Sequence, residues 1–171
     1  DPYAPDEFLR LGPGYKSWKG ETEFTYPESD NSFGRALLRC VGVGRCRKVE
    51  SVGTMCPSFM VTREEKYSTR GRARLLQEML RGETLADGWK NLSVKESLDL
   101  CLACKGCKTD CPVNVDMATY KSEFLYNFYK GRLRPAGSYT MGWIYWWARI
   151  ASYMPRVVNF FTHNPLTGGL M

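Results

Sequence analysis

Seven cysteines, Cys40, Cys46, Cys56, Cys101, Cys104, Cys107 and Cys111, are the residues of this chain whose type and spacing could do chemistry. Cys101, Cys104, Cys107 and Cys111, followed by Pro112, spell C-x2-C-x2-C-x3-C-P, a ligand run for iron-sulfur clusters in which the fourth cysteine serves a second cluster. The other three repeat the run imperfectly. Adding 61 carries Cys40 to Cys101 and Cys46 to Cys107, but Val43 stands where Cys104 would, and nine residues rather than three separate Cys46 from Cys56 and Pro57. Three ligands at tight spacing converge on neighbouring corners of one small cube and leave the fourth corner to a distant thiolate. The sequence therefore predicts crossed ligation: a [4Fe-4S] cluster on Cys101, Cys104, Cys107 and Cys56, and a second site on Cys40, Cys46 and Cys111. With three thiolates, the second site would hold [3Fe-4S], or [4Fe-4S] with a non-cysteine or exogenous fourth ligand, or be degenerate. The spacing does not rank these.

Two other uses of cysteine fit less well. Zinc sites pair one C-x2-C with a second Cys or His pair, whereas here three cysteines share one triplet and each distal cysteine precedes a proline. Disulfide frameworks belong to small secreted domains, and an odd count leaves a thiol over. Free thiolates in a reducing compartment are what cluster assembly needs, which points to the cytoplasm or the inner face of its membrane.

The elements that must position these thiols read as helices. Ser32, Phe33 and Leu37 precede Cys40 at the distances at which Ser93, Val94 and Leu98 precede Cys101, so each copy delivers its first thiolate from a short helix. Ser93 with Glu96 spells a capping box, and Asp30, Asn31 and Ser32 offer N-cap oxygens for the first copy. After each Cys-Pro a longer helix is expected. Thr69 caps one that runs to Arg81, with Ala73, Leu76 and Leu80 on one face and Gly82 as its stop. Asp116 caps the other, in which Met117, Tyr120, Phe124 and Phe128 recur at helical spacing before Gly131. These stripes read as core that shields the clusters from water. Alternating β-branched runs are scarce, so the fold class is mainly α: an all-helical, two-site ferredoxin-like domain rather than a βαβ repeat.

Net charge of +6 would suit a nucleic-acid binder, and Arg70, Arg72, Arg74 and Arg81 form a stripe. Clusters with their thiolates are anionic, however, and Arg45, Arg47 and Lys48 flank one ligand set while Lys105 and Lys108 flank the other. The basic residues are better read as tuning or stabilising the centres, or as docking an acidic partner. No nucleic acid is expected.

Three segments follow. Residues 1–30 read as an extended arm broken by Pro2, Pro5, Pro13 and Pro27, residues 31–131 as the cluster domain, and residues 132–171 as an aromatic C-terminal extension that docks on a neighbouring domain. In that extension Trp143, Trp147, Ile150 and Met154 share one helical face. A membrane-spanning helix needs about 20 apolar residues; this run is interrupted by Arg149 and stopped by Pro155, so no transmembrane segment is expected. His163, the single histidine, reads as a surface residue. The start on Asp-Pro and the end on Gly168, Gly169, Leu170 and Met171 read as those of a portion of something longer.

Two stretches, RCVGVGRCRKVESVGTMCPSFMVTREEKYSTRGRARLLQEML and LDLCLACKGCKTDCPVNVDMATYKSEFL, with the later GRLRP and MGWI, resemble the iron-sulfur domain of the FAD-linked oxidases of the D-lactate, glycolate and D-2-hydroxyglutarate dehydrogenase group. The resemblance covers most of residues 8 to 165. It implies a flavin-binding oxidase domain on one side and a cysteine-rich domain with CCG motifs on the other, with FAD carried by the parent enzyme only. It also implies an electron relay, from a flavin reduced by a 2-hydroxy acid, through the clusters, to a downstream acceptor such as the cysteine-rich region, a quinone or a soluble carrier. The location implied is cytoplasmic, peripheral at most to the inner face of the membrane. No catalytic constellation is legible in these 171 residues, and they are not expected to oxidise a hydroxy acid alone. Two competing readings are a structural iron-sulfur interaction module and an enzyme that binds substrate at the open iron of the under-ligated centre.

Overall fold

The computed structural model describes residues 11, 15–49, 53 and 55–163. Pro2, Pro5, Pro13, Pro165 and the C-terminal Gly168 to Met171 lie outside the described residues. The described residues contain helices and no strand, as the mainly α reading requires. They divide into two compact units that meet at Lys130 and Gly131.

Among its described residues the first unit holds six α-helices: α1 (Phe33–Leu38), α2 (Pro57–Thr62), α3 (Thr69–Arg81), α4 (Leu92–Asp99), α5 (Gly106–Asp110) and α6 (Met117–Phe128). Helix α3 is central, packing against α1, α4 and α6. Phe33, Leu37, Leu76, Val94, Leu98, Met117 and Phe124 are almost wholly buried and form one core. The apolar stripe of α3 faces this core while Arg74 turns outward, the separation of faces that a 3.6-residue period produces.

Helix starts follow local side-chain chemistry, with two corrections to the expected caps. Ser32 caps α1 by accepting from the Arg35 amide, and Asp116 caps α6 by accepting from the Thr119 amide. Helix α3 is capped by Ser68, one residue before Thr69, and Gly82 closes it in the left-handed conformation. The Ser93 and Glu96 capping box does not form. The Asn91 side chain, two residues earlier, accepts from the Val94 amide at 3.1 Å and starts α4 sooner. Glu96 instead binds Lys66 Nζ at 2.9 Å and the Tyr67 hydroxyl at 3.2 Å.

The internal repeat reaches further than the cysteines. The N-caps Ser68 and Asp116 each stand four residues before a side chain, Arg72 or Tyr120, that reaches across to a short helix. Arg72 Nε donates to the Ser97 carbonyl at 2.7 Å, and Tyr120 Oη donates to the Ala36 carbonyl at 2.9 Å. Ala36 and Ser97 are themselves separated by the repeat offset of 61. Leu76 and Phe124, eight residues past the two caps, are both fully buried.

Residues 15–30 hold little regular structure, yet they pack. Trp18 lies edge-on to Phe33 and Trp89, and its backbone passes so close to Gly34 that an added Cβ would meet Trp18 N and O at 2.9 Å. Tyr26 is buried beside Phe33 and Tyr120. Glu123, on α6 and 0% exposed, accepts from the Glu23 and Phe24 amides, the Tyr26 hydroxyl and the Asn127 side chain.

The second unit carries α7 (Ala136–Gly142), α8 (Ile144–Tyr153) and α9 (Pro155–His163). The helix breaks at Trp143 and Met154, so these two residues sit at the ends of α8. Pro155 opens α9, where a missing N–H costs nothing. Trp146 is 58% exposed, and Ile144, Tyr145, Ile150, Tyr153, Phe160 and Phe161 expose more than half of their surface as well. His163 is exposed. No helix of the described residues is long and apolar enough to cross a membrane.

Candidate iron-sulfur centres

Two cavities gather the cysteines. The first, a small space of about 20 Å³, lies between Cys56, Ser58, Thr69, Arg72, the Cys101 to Cys107 loop and the start of α6 at Met117 and Ala118. The second, also about 20 Å³, lies between Cys40, Cys46, Cys111, Met55, Thr69, Arg70 and the Val41 to Arg45 loop. Cys101, Cys104, Cys107 and Cys56 therefore surround one space, and Cys40, Cys46 and Cys111 the other. None of the seven is in a disulfide. The second cavity, with one thiol fewer, has the same volume as the first. Among the described residues no group of three or more His, Cys, Asp or Glu is placed to hold a single metal ion.

The two binding loops have one backbone path despite different sequences. Ala103 and Lys105 flank Cys104 with φ of 52° and 59°; Gly42 and Gly44 flank Val43 with φ of 81° and 79°. The left-handed residues curl each loop around its cavity, and a short helical turn then presents the next cysteine, Cys107 from α5 or Cys46 from Arg45–Arg47. Non-glycine residues enter this region at roughly 1–2 kcal/mol each, so the intact loop carries strain that the glycines of the other loop avoid. Such strain clusters at functional sites. Val43 occupies the position of Cys104 and is 61% exposed. Cys56 also has positive φ, 56°, as it turns the chain into Pro57 and α2.

The long helices aim their first-turn amides at sulfur. The Thr69 amide binds Cys56, the Arg70 amide binds Cys46, and the Met117 amide binds Cys107. These donors have no partner within their own helices, and the helix N-terminus adds partial positive charge where thiolates must sit. Thr69 serves both sites: it lines both cavities, and its hydroxyl lies 2.9 Å from Cys56 Sγ. Burial pushes the thiols of Cys46 and Cys56 up, and that of Cys107 to about 11, because desolvation penalises the thiolate. The hydrogen bonds and Arg72 offset part of this at Cys56. Loading iron must therefore displace protons from these sulfurs.

The basic residues take more specific places than their sequence neighbourhoods indicate. Arg45 lines the second cavity and donates to the Asp110 carbonyl at 3.2 Å, bridging the two copies. Arg47 and Arg70 both pair with Glu65 at 2.7 Å, and Lys108 pairs with Asp116 at 3.5 Å. Lys105 lines the first cavity. Arg72 is no part of a surface stripe: it is 2% exposed and belongs to the first site. Sequence reasoning missed it and Thr69. Aligning the two N-caps would have placed Arg72 opposite Tyr120, at a site-facing turn.

The donor set fits the implied group: sulfur ligands for two centres, backbone donors to sulfur and a low-dielectric wall. Over the described residues, the fold and these cavities define a helical protein with two thiol-lined sites, and comparison shows what it is similar to. Residues 36–115 match the family model of the 4Fe-4S dicluster domain. The chain is 29% identical over 168 residues to D-2-hydroxyglutarate dehydrogenase of Escherichia coli (strain K12), and 31% identical over 165 residues to that of Pantoea ananatis (strain AJ13355), covering 77% of this chain and 16% of the relative in each case. It is 33% identical over 79 residues to the glycolate oxidase iron-sulfur subunit of E. coli, covering 46% of this chain and 17% of that subunit. No solved structure matches. The chain thus spans about 16% of the dehydrogenases. The resemblance to the iron-sulfur domain of that oxidase group stands, and the relationship indicates an electron-transfer role.

Proposed function

We propose that this domain receives electrons from a flavin reduced by a 2-hydroxy acid in the parent enzyme and passes them to a downstream acceptor. One observation carries the reading: two thiol-lined cavities of near-equal size share Thr69 as a wall. Centres held there would be separated by little more than one residue. When bound, iron-sulfur clusters supply reversible one-electron chemistry. Cys101, Cys104, Cys107 and Cys56 would hold a [4Fe-4S] cluster, and Cys40, Cys46 and Cys111 a second, [3Fe-4S] or [4Fe-4S].

The chain's own work is to fix the sulfurs, exclude water and present hydrogen-bond donors. The flavin would lie in a neighbouring oxidase domain holding FAD. The acceptor would be a cysteine-rich CCG domain, a quinone or a soluble carrier. The exposed aromatic helices α7 to α9 offer a face for docking on one of those neighbours. Such a relay would work in the cytoplasm, peripheral at most to the inner membrane face.

Anaerobic reconstitution with iron and sulfide counts, followed by an EPR-monitored redox titration, tests this. About eight or seven irons per chain is expected, with both centres reversibly reduced; about four would leave a single centre. Full iron without reversible reduction would overturn the relay in favour of a structural module.

A further inference from the structure

The buried cation Arg72 has no carboxylate. Its Nε donates to the Ser97 carbonyl at 2.7 Å and its Nη2 to Ser58 Oγ at 2.9 Å, while Nη1 stands 3.9 Å from Cys56 Sγ. Among the described residues no Asp or Glu lies within ion-pair distance of it, whereas its helix neighbours Arg70 and Arg74 pair with Glu65 and Glu78. A guanidinium keeps its proton at all accessible pH, and an uncompensated buried charge is strongly unfavourable. Neutral oxygens solvate it without cancelling its charge. The one contact able to carry negative charge is the sulfur of Cys56.

The other site is built differently at the same place. Tyr120 occupies the position of Arg72, four residues after its N-cap, and makes the equivalent bond to a short-helix carbonyl with a neutral hydroxyl. Val113 stands two residues after Cys111 where Ser58 stands two after Cys56. The matched positions thus differ: Arg72 lines the first cavity with its charge, whereas Tyr120 is neutral and lies outside the lining of the second, whose cations Arg45 and Arg70 are held by the Asp110 carbonyl and by Glu65.

We infer that Arg72 is the built-in counter-charge of the centre ligated by Cys56, and that it raises that centre's reduction potential selectively. The inference rests on the cluster reading above. Reduction adds one electron, and hence one negative charge, beside a fixed cation in a low-dielectric wall, which favours the reduced state. Arg72 neither gains nor loses a proton in the step, so its contribution does not change with pH.

The test uses the full chain reconstituted anaerobically, with iron counted first and midpoints then read by EPR. The first centre is identified as the signal that Cys104→Ser alters. Arg72→Gln should lower its one-electron reduction constant at least tenfold, a fall of about 59 mV or more, and leave the other centre in place. Arg72→Lys keeps the charge and should keep most of the midpoint; Tyr120→Phe should move neither. A wild-type chain that takes up no iron refutes the cluster reading itself. Full iron with an unshifted Arg72→Gln midpoint overturns the inference, as does Arg72→Lys falling as far as Arg72→Gln, since the fork geometry rather than the charge would then matter. If Arg72→Gln does not fold, Arg72→Lys decides: a retained midpoint supports the counter-charge and a lowered one overturns it.

Discussion

The two halves of the first unit share a backbone plan and differ in the chemistry placed on it. Each has a short helix ahead of its first cysteine, a loop with two left-handed residues, a Cys-Pro turn and a long helix whose first amides reach sulfur. One loop carries Cys104 between Ala103 and Lys105; the other carries Val43 between two glycines. One long helix offers Arg72 to its cavity, while the other has Tyr120 at the matching position, turned to the Ala36 carbonyl. The comparison teaches that a repeat can lose a ligand without losing the cavity, because the loop path is set by backbone conformation and by packing beneath it. The halves are also interlocked. Thr69, from one long helix, lines both cavities, and each Cys-Pro cysteine faces the triplet of the other half.

The sharpest way to break the comparison is to remove the crossed ligands. Cys111→Ser leaves two thiols at the second cavity and is expected to lose all of that centre's iron while the Cys101, Cys104 and Cys107 signal survives. Cys56→Ser is expected to perturb that last signal and spare the other. Iron counts and EPR check both, and the reverse pattern would show that each half binds its own cluster. Val43→Cys tests whether the halves can be made alike. It restores a thiol at the Cys104 position, so a three-iron centre should gain about one iron per chain; an unchanged count and spectrum would show that Val43 is not the missing ligand position.

Smaller effects probe what holds the halves in place. Glu123→Gln replaces the fully buried carboxylate that ties residues 23–26 to α6, and stranding part of its donor set should cost about 2–4 kcal/mol in denaturant unfolding. A loss below about 0.5 kcal/mol would mean that residues 15–30 contribute little to the fold. Least of all, the loops should answer oppositely to glycine exchange: Lys105→Gly relieves a left-handed residue and should stabilise by up to about 1 kcal/mol, while Gly44→Ala should destabilise by about as much. Thermal unfolding of the two variants side by side reads the difference.

Much of the fold was legible because it rests on short-range signals. Helical periodicity marked α3 and α6, Gly82 marked a stop, and Asp116 marked a start. The caps of α3 and α4 fell one and two residues away from expectation, since Ser68 competes with Thr69 for one role and Asn91 with Ser93 for the other. Thr69 was then free to turn its hydroxyl to Cys56. Propensity cannot decide between neighbouring oxygens of similar capping strength; burial and the partner's position do. Arg72 was misread for a related reason. In sequence it sits among arginines that all look solvated, and only the arrangement of α2, α3 and α4 turns this one inward to Ser58 and Ser97.

By itself, the sequence determined which thiols stand at cluster-ligand spacing and predicted how they would divide, since that spacing limits which sulfurs can meet at one small cube. It also determined the helical class, because periodicity and capping are properties of neighbours along the chain. Only the tertiary structure decided that the incomplete copy keeps a cavity as large as the intact one's, that Thr69 joins both walls, and that one arginine of four lies buried against Cys56 while its counterpart is a tyrosine. Each of these depends on which surfaces of distant helices meet, and the free energy of a buried charge is set by that meeting and not by the residue's neighbours in sequence.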